Sequence, residues 1–399
     1  MDLSYNRFKS FPKMGTTNLK VLLIEGNPGL TFPLDVRSFA CLSSLSLSRC
    51  NLHAVPDSVC DIVCLEQLDL SHNKITEMSS KIGGLCNLSI LVMGNNKLTK
   101  VVEMIGQCTA LKYLDLKENQ ILGLPNEMGY LSCMEELILT NNKISDLPQS
   151  VSLANFKKMV KLDLYQNSLK ELKESFFEGV STAVIEELHL GHNKLSKIPN
   201  LLYSSGLLLL DLKNNNISQI SDNLKNLKNI KILNLSHNQL TQIPDLPTSL
   251  QTLNLFGNFL SELPPTFSSL TSLQHLYIGY NKFSKFYECF SEILFLSETL
   301  EEFFLNGNDI SSFPVNSRNI QQKFESFANF STFGTFIPGV KLLFLNGLGL
   351  ESVPDELGLL INLEQLDLSH NRLKMIPKKI VSLRCLYSIN LSHNLLENS

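Results

Sequence analysis

The chain has 399 residues, a net charge of −4 and only six arginines (Arg7, Arg37, Arg49, Arg318, Arg372, Arg384), so it carries no basic footprint for nucleic acid. No stretch reaches the roughly 18 uninterrupted apolar residues of a membrane helix, and no signal-peptide pattern opens it, since Met1 and Leu3 already fall on strand positions expected to be buried. A chain of this length ordinarily divides into two or three globular domains.

An internal repeat removes that last expectation. The phrase Leu65-Glu66-Gln67-Leu68-Asp69-Leu70-Ser71-His72-Asn73 returns unchanged as Leu363 to Asn371. Aligning on its asparagine gives Asn6, Asn27, Cys50, Asn73, Asn96, Asn119, Asn142, Asn167, Asn193, Asn215, Asn238, Asn258, Asn281, Asn308, Leu348, Asn371 and Asn394, which is 17 turns spaced mostly by 23 residues. Within the phrase, Leu68 and Leu70 alternate with Gln67, Asp69 and Ser71, the period of a strand with one buried and one wet face. The asparagine stands where the chain leaves the strand, and its amide can satisfy backbone groups outside any regular ladder. Removing one such amide should leave buried polar groups unpaired, at roughly 1–3 kcal/mol each. Cys50 is a tolerated variant of that slot, whereas Leu348 cannot hydrogen-bond and marks an irregularity.

Leucines at positions 1, 4 and 6 with asparagine at 9, at a fixed period, resemble the leucine-rich repeat family over essentially the whole chain. The resemblance implies an α/β solenoid: a horseshoe of about 17 turns with a parallel concave sheet. Such a solenoid grows in one dimension, and strands about 4.8 Å apart would give an inner run on the order of 80 Å. The expected organisation is a solenoid over 1–314, a Phe-rich insertion at 315–339 and a continued, uncapped solenoid over 340–399.

In chain order, the first turn is incomplete. Residues 1–64 run regularly through Phe11-Pro12, Phe32-Pro33 and Val55-Pro56, with proline six residues after the ladder position, where a fixed φ suits a turn leaving the strand. From 65 to 142 the period is an unbroken 23, and Ile82, Leu85 and Leu88, three apart with Lys81 outside, predict a helical or 3₁₀ return leg. The turns after Asn142 and Asn167 are longer by two and three residues, with Phe176-Phe177-Glu178-Gly179 expected to extend the return leg. The turn from Asn238 to Asn258 is shortened to 20, through Ile243-Pro244-Asp245-Leu246-Pro247, leaving little room for a helix. Between Asn308 and Leu348 the gap is 40, and Phe324, Phe327, Phe330, Phe333 and Phe336 recur every third residue. Three readings stay open: a convex excursion, with a helix over 318–330, packed back on the solenoid; an ordered partner-binding insertion, since five exposed phenylalanines would form an unusual apolar patch; or a gene-prediction error. After Leu348 the turns are regular again. Both ends cut into the pattern, as in the repeat part of a longer protein.

Nine cysteines, an odd count, point to a reducing compartment. Cys41, Cys64, Cys133 and Cys385 fall fourteen residues after a ladder position and Cys108 twelve after one, and read as small core residues. The alternative, a metal site from Cys60 and Cys64, lacks a second ligand pair. His72, His192, His237, His370 and His393 directly precede the ladder residue, a slot that takes polar residues, and lie far apart in the stack. Asp69, Asp115, Asp163, Asp211 and Asp367 share one outward strand slot and read as a solvated row, not a catalytic pair. Asn-X-Ser sequons such as Asn234-Leu235-Ser236 coincide with the strand motif itself. No catalytic residue, metal or cofactor is expected.

What remains is a surface. From Tyr113 to Lys213 the wet positions are mixed and charged, among them Asp115, Lys117, Glu136, Lys161, Asp163, Tyr165, Glu187, His189 and Asp211. From Phe256 onward they turn aromatic: Phe256, His275, Tyr277, Phe304 and Phe344, with Tyr280 beside them. Aromatic side chains on a rigid face make binding hot spots, each worth about 2 kcal/mol or more. The competing reading for Phe304 and Phe344 is that they pack beneath the Phe-rich insertion. The expected partner-binding set is therefore Tyr165, His189, Asp211, Phe256, His275, Tyr277, Tyr280, Phe304 and Phe344. The 23-residue turn with Leu/Ile-Pro after the ladder is similar to the intracellular subclass found in Ras suppressors, Scribble-type scaffolds and Ras-associated adenylyl cyclases. That resemblance implies a cytoplasmic, non-enzymatic scaffold, peripheral at a membrane only through partners, whose concave face holds a small GTPase or another signalling protein. The rival is a targeting arm of a signalling enzyme (a metal-dependent phosphatase, kinase or cyclase) with its catalytic domain elsewhere. A third reading, a receptor ectodomain, would need cysteine-clustered caps that the chain lacks.

Overall fold

The structure, a computed structural model, describes residues 1–10, 18–31, 36, 39–177, 185–198, 201, 206–284, 299–310, 339–353, 355–376 and 378–397. The Phe-rich stretch, with the five phenylalanines and the helix expected over 318–330, lies outside the described residues. Two compact units are present, one formed by Met1–Leu195 with Pro199–Leu207 and the other by Ser196–Ile198 with Leu208–Ser399.

Each unit is a ladder of three-residue parallel strands in chain order. The first holds β1 (Val21–Leu23), β2 (Ser44–Ser46), β3 (Gln67–Asp69), β4 (Ile90–Val92), β5 (Tyr113–Asp115), β6 (Glu136–Ile138), β7 (Lys161–Asp163) and β8 (Glu187–His189). The second holds β9 (Leu209–Asp211), β10 (Ile232–Asn234), β11 (Thr252–Asn254), β12 (His275–Tyr277), β13 (Glu302–Phe304), β14 (Leu342–Phe344), β15 (Gln365–Asp367) and β16 (Ser388–Asn390). Register is residue for residue, as in Leu68 opposite Leu91 and Leu276 opposite Phe303. Among the described residues the first of the 17 turns contributes no strand, only isolated bridges from Asp2 to Leu23 and from Ser10 to Thr31.

The leucine phrase explains the core. Leu65, Leu68 and Leu70 are buried, as are Leu111, Leu114 and Leu116, and Leu273, Leu276 and Ile278. Each buried aliphatic side chain stabilises by about 1.5–3 kcal/mol relative to exposure, and it does so only against the turn above and below. The return legs are short 3₁₀ turns such as Ser80–Gly84, Glu103–Gln107 and Asn126–Tyr130, with, among the described residues, one single-turn α-helix at Asp57–Cys60. Ile82, Leu85 and Leu88 all point inward and are fully buried. Phe176 and Phe177 are buried around a 3₁₀ turn at Glu174–Phe176, and the shortened turn between Asn238 and Asn258 has no helix.

The asparagines form the expected ladder. Asn73 donates to the carbonyls of Leu47 (2.9 Å) and Leu70 (3.0 Å), while its oxygen accepts from the N–H groups of Cys50 (2.9 Å) and Leu52 (3.0 Å). The carboxamide thus ties its own turn to the preceding one, and Asn96, Asn119, Asn142, Asn167, Asn193, Asn238, Asn258, Asn281, Asn308, Asn371 and Asn394 do the same. Asn215 donates within its own turn, to Leu212. Cys50 keeps part of the function, its thiol donating to Ile24 O at 3.2 Å, and burial pushes its pKa up. Leu348 is buried as hydrocarbon, yet β14 pairs normally with β13 and β15, and Asn371 accepts the N–H groups of Leu348 (3.1 Å) and Leu350 (3.0 Å). The irregularity therefore interrupts the amide ladder and leaves the strand ladder intact.

The residue before the ladder position is left-handed turn after turn, as at His72 (φ 54°), Asn95 (58°), His192 (55°), His237 (54°), His370 (53°) and His393 (54°). This is why the slot favours histidine, asparagine and glycine.

Two expectations fail. Cys41 and Cys385 are exposed and Cys64 and Cys133 only half-buried, because the inward slot is the next residue, Leu42, Leu65 or Met134; Cys108 alone of the five is fully buried. Met1 is 48% exposed and Leu3 half-buried, since the described residues cover them with a neighbouring turn on one side only.

Candidate functional site

Each turn has three outward slots, at the positions of Gln67, Asp69 and Ser71, and the central one, at the end of the three-residue strand, follows a local rule. When it holds aspartate or asparagine, the side-chain oxygen accepts the N–H two residues on, closing an Asx turn at the strand end. Asp69 does this with Ser71 (2.8 Å), Asp115 with Lys117 (2.9 Å), Asp163 with Tyr165 (2.9 Å), Asp211 with Lys213 (3.0 Å), Asn254 with Phe256 (3.1 Å) and Asp367 with Ser369 (2.9 Å). The aspartate row is thus a set of backbone anchors, more specific than the solvated row read from the sequence.

In the first unit this face neutralises itself. Lys117 lies 3.2 Å from the buried Asp115 carboxylate, whose charge holds the lysine pKa above its ordinary value. Lys161 reaches Glu187 at 2.7 Å; that contact raises the lysine pKa and lowers that of the glutamate. His189 adds a 3.3 Å contact to the same carboxylate, and Tyr165 leans on His192 with centroids 4.8 Å apart.

The second unit is different. From β3 to β11 no two consecutive strands lack Asp or Asn in the central slot, but β12, β13 and β14 place Tyr277, Phe304 and Phe344 there. Exact register brings the three rings together: Tyr277 and Phe304 are tilted at 4.8 Å, and Phe304 and Phe344 are stacked at 4.2 Å and 9°. A second file runs alongside, with His237 to Phe256 at 5.3 Å and Phe256 to Tyr280 at 4.9 Å. Tyr280 is 55% exposed, and its ring lies over Gly307 (φ +70°), where an added Cβ would come within 2.9 Å of the ring atoms. Phe256, Tyr277, Phe304 and Phe344 are all half-buried, so each keeps part of its ring in water.

The structure therefore joins Phe256 with Tyr280, and Tyr277 with Phe304 and Phe344. Tyr165 and His189 belong to the first unit and not to this cluster, and Asp211 is occupied as a backbone anchor. Glu302 went unnoticed in the sequence. Its carboxylate accepts a hydrogen bond from the Tyr277 hydroxyl and lies 3.4 Å from His275 Nδ1, a contact not aligned as a hydrogen bond. Burial first, and that bond second, push the Tyr277 pKa well above the ordinary tyrosine value. The signal was available, since Glu302 occupies the outward slot next to His275 in the repeat. Among the described residues no group of three or more histidine, cysteine or acidic side chains is placed to hold a metal, and no helix is long and apolar enough to cross a membrane.

Family models for the leucine-rich repeat match residues 65–121, 229–248 and 362–383, and one for two leucine-rich repeat copies matches 248–289. Among solved structures, a leucine-rich repeat protein of Leptospira interrogans is 30% identical, with a TM-score of 0.77, covering 90% of this chain and 86% of that one. The leucine-rich effector YopM of Yersinia pestis (23% identity, TM-score 0.64, 88% and 84% covered) and an internalin of Listeria monocytogenes (20%, 0.60, 93% and 86%) share the fold. No curated protein matches the chain. With the repeat phrase, the parallel ladder and a relative alike over nearly its whole length, the chain belongs to the leucine-rich repeat family.

Proposed function

We propose that the protein is a non-catalytic scaffold that docks a protein partner on the strand face of its second unit, over β11–β14. The observation carrying this reading is the run of three strands in which a backbone-anchoring Asp or Asn is replaced by half-exposed aromatic rings. Each replacement leaves a strand-end N–H, at Gly279, Asn306 and Asn346, without its Asx acceptor, and gains hydrocarbon that folding alone does not fully bury. Rigid, prestacked rings lose little conformational freedom on binding and form anchors of the hot-spot type.

The partner's class beyond protein rests on the resemblance to the intracellular 23-residue subclass, which favours a signalling protein, a small GTPase among them. A cytoplasmic site of action draws support from the cysteines: the eight described ones are free thiols, with Cys60 and Cys108 buried and pushed up to about 11 and about 12 by that burial.

The test is comparative capture from the native cell by the full chain and by Tyr277→Ala with Tyr280→Ala, with thermal unfolding followed in parallel. The double variant should lose its main partner and keep its melting temperature within a few degrees. Retention of every wild-type partner would move the site elsewhere.

A further inference from the structure

The charges around the aromatic row narrow the partner's chemistry, given the reading that this face docks a protein. Phe304 has the tilted Tyr277 ring on one side and the stacked Phe344 ring on the other, since β13 lies between β12 and β14. The outward face at the end of the row is therefore that of Phe344. The residue next in register beyond it is Asp367 on β15. One Asp367 oxygen accepts the Ser369 N–H, and the other has only a 3.4 Å contact from Asn390 Nδ2. At the other end of the row, Glu302 is engaged by the Tyr277 hydroxyl and approached by His275. No described lysine or arginine pairs with either carboxylate, in contrast with Asp115 and Glu187 of the first unit, or with Glu301, which Lys341 pairs at 2.7 Å.

We propose that this face receives a basic side chain of the partner polypeptide, arginine in preference to lysine, laid on the outer face of Phe344 and bonded to Asp367, with Glu302 adding its field. A planar guanidinium can stack on the ring and still present paired N–H donors to a carboxylate. The rings exclude water from one side of the pair, which strengthens the attraction. An acidic segment would meet two anions that no described lysine or arginine offsets.

The probe is a seven-residue Gly/Ser peptide with one central arginine, titrated into the full chain and followed by saturation-transfer NMR on the arginine methylenes. Matched peptides carry lysine, citrulline or glutamate instead. The arginine peptide should bind about ten-fold more tightly than its neutral citrulline isostere, as expected for losing a charge-assisted bond. Asp367→Asn and Phe344→Leu should each remove most of that difference, and Glu301→Gln should not. Asp367→Asn keeps the strand-end anchor, since Asn234, Asn254 and Asn390 fill the same slot and bond Ser236, Phe256 and Ser392 in the same way. Equal binding of the arginine and citrulline peptides, preference for glutamate, or an unaltered Asp367→Asn profile would overturn the proposal. If any of these occurs while Tyr277→Ala with Tyr280→Ala still abolishes partner capture, the docking face stands and only its cation preference is wrong.

Discussion

Strands β5–β8 and β12–β14 are built on one three-residue frame and use their outward slots in opposite ways. In the first stretch Asp115 and Asp163 close Asx turns, Lys117 pairs with Asp115 in its own turn, and the Glu187 carboxylate is met by Lys161 from the neighbouring strand and by His189 from its own. In the second, Tyr277, Phe304 and Phe344 anchor no backbone and stack among themselves. Under the proposed docking role the difference separates two tasks that share a fold: a face closed upon its own charges adds to folding, and one with half-open rings holds contact energy in reserve for another molecule.

The largest expected effect breaks what the two regions have in common. Asn119 is buried, donates to Met93 O and Leu116 O at 3.0 Å, and accepts the Leu98 N–H at 2.9 Å. Asn119→Ala strands these groups and should lower stability by about 3 kcal/mol, and Asn258→Ala should do the same in the second unit, both read by urea unfolding. Partner capture at low temperature should survive both. An Asn119→Ala protein with an unchanged transition midpoint would refute the ladder as a source of stability.

Exchanging the central slot sharpens the contrast at intermediate size. Phe304→Asn removes a ring held between two others and installs the residue that anchors β11, so a loss of about 1–2 kcal/mol is partly offset by a new bond to the Asn306 N–H, while partner binding disappears. Asp163→Ala in the first unit should cost about 1 kcal/mol through the lost Tyr165 N–H bond and leave binding untouched. Should Phe304→Asn bind normally, or Asp163→Ala abolish binding, the division of labour between the faces would be reversed.

Much of this contrast is legible in the sequence because a fixed period converts spacing into register. Once Asn258, Asn281, Asn308 and Leu348 are aligned, Tyr277, Phe304 and Phe344 must be strand neighbours, whatever the length of the return legs between them. The Asx turns were not legible as a function, because an outward aspartate looks alike whether it solvates a face or anchors an N–H. The cysteines misled for a geometric reason: a slot that recurs beside a buried leucine takes small residues without itself being buried, as Cys41 beside Leu42 shows. Glu302 was readable in principle, but its role depends on the tyrosine hydroxyl reaching across a strand, which pattern alone does not specify.

The smallest expected effect tests the claim that the first face is closed on itself. Lys161 depresses the Glu187 pKa below its ordinary 4.5, so this pair adds stability that is present above pH 4.5 and is lost as the pH falls through the lowered folded value. The same contact raises Lys161 above its ordinary 10.5, a contribution present below that pH and lost as the pH rises through the raised folded value. Both side chains are partly exposed (30% and 41%), so salt screens the pair and its contribution is at the low end for ion pairs. Lys161→Met should therefore flatten the acid limb of the stability–pH curve slightly at low salt and have no effect on that limb in 1 M salt, where the screening length is about 3 Å. A loss of stability equal at every pH and at both salt concentrations would mean that Lys161 acts through its methylene packing, and the first face would owe its closure to hydrocarbon contact in place of charge.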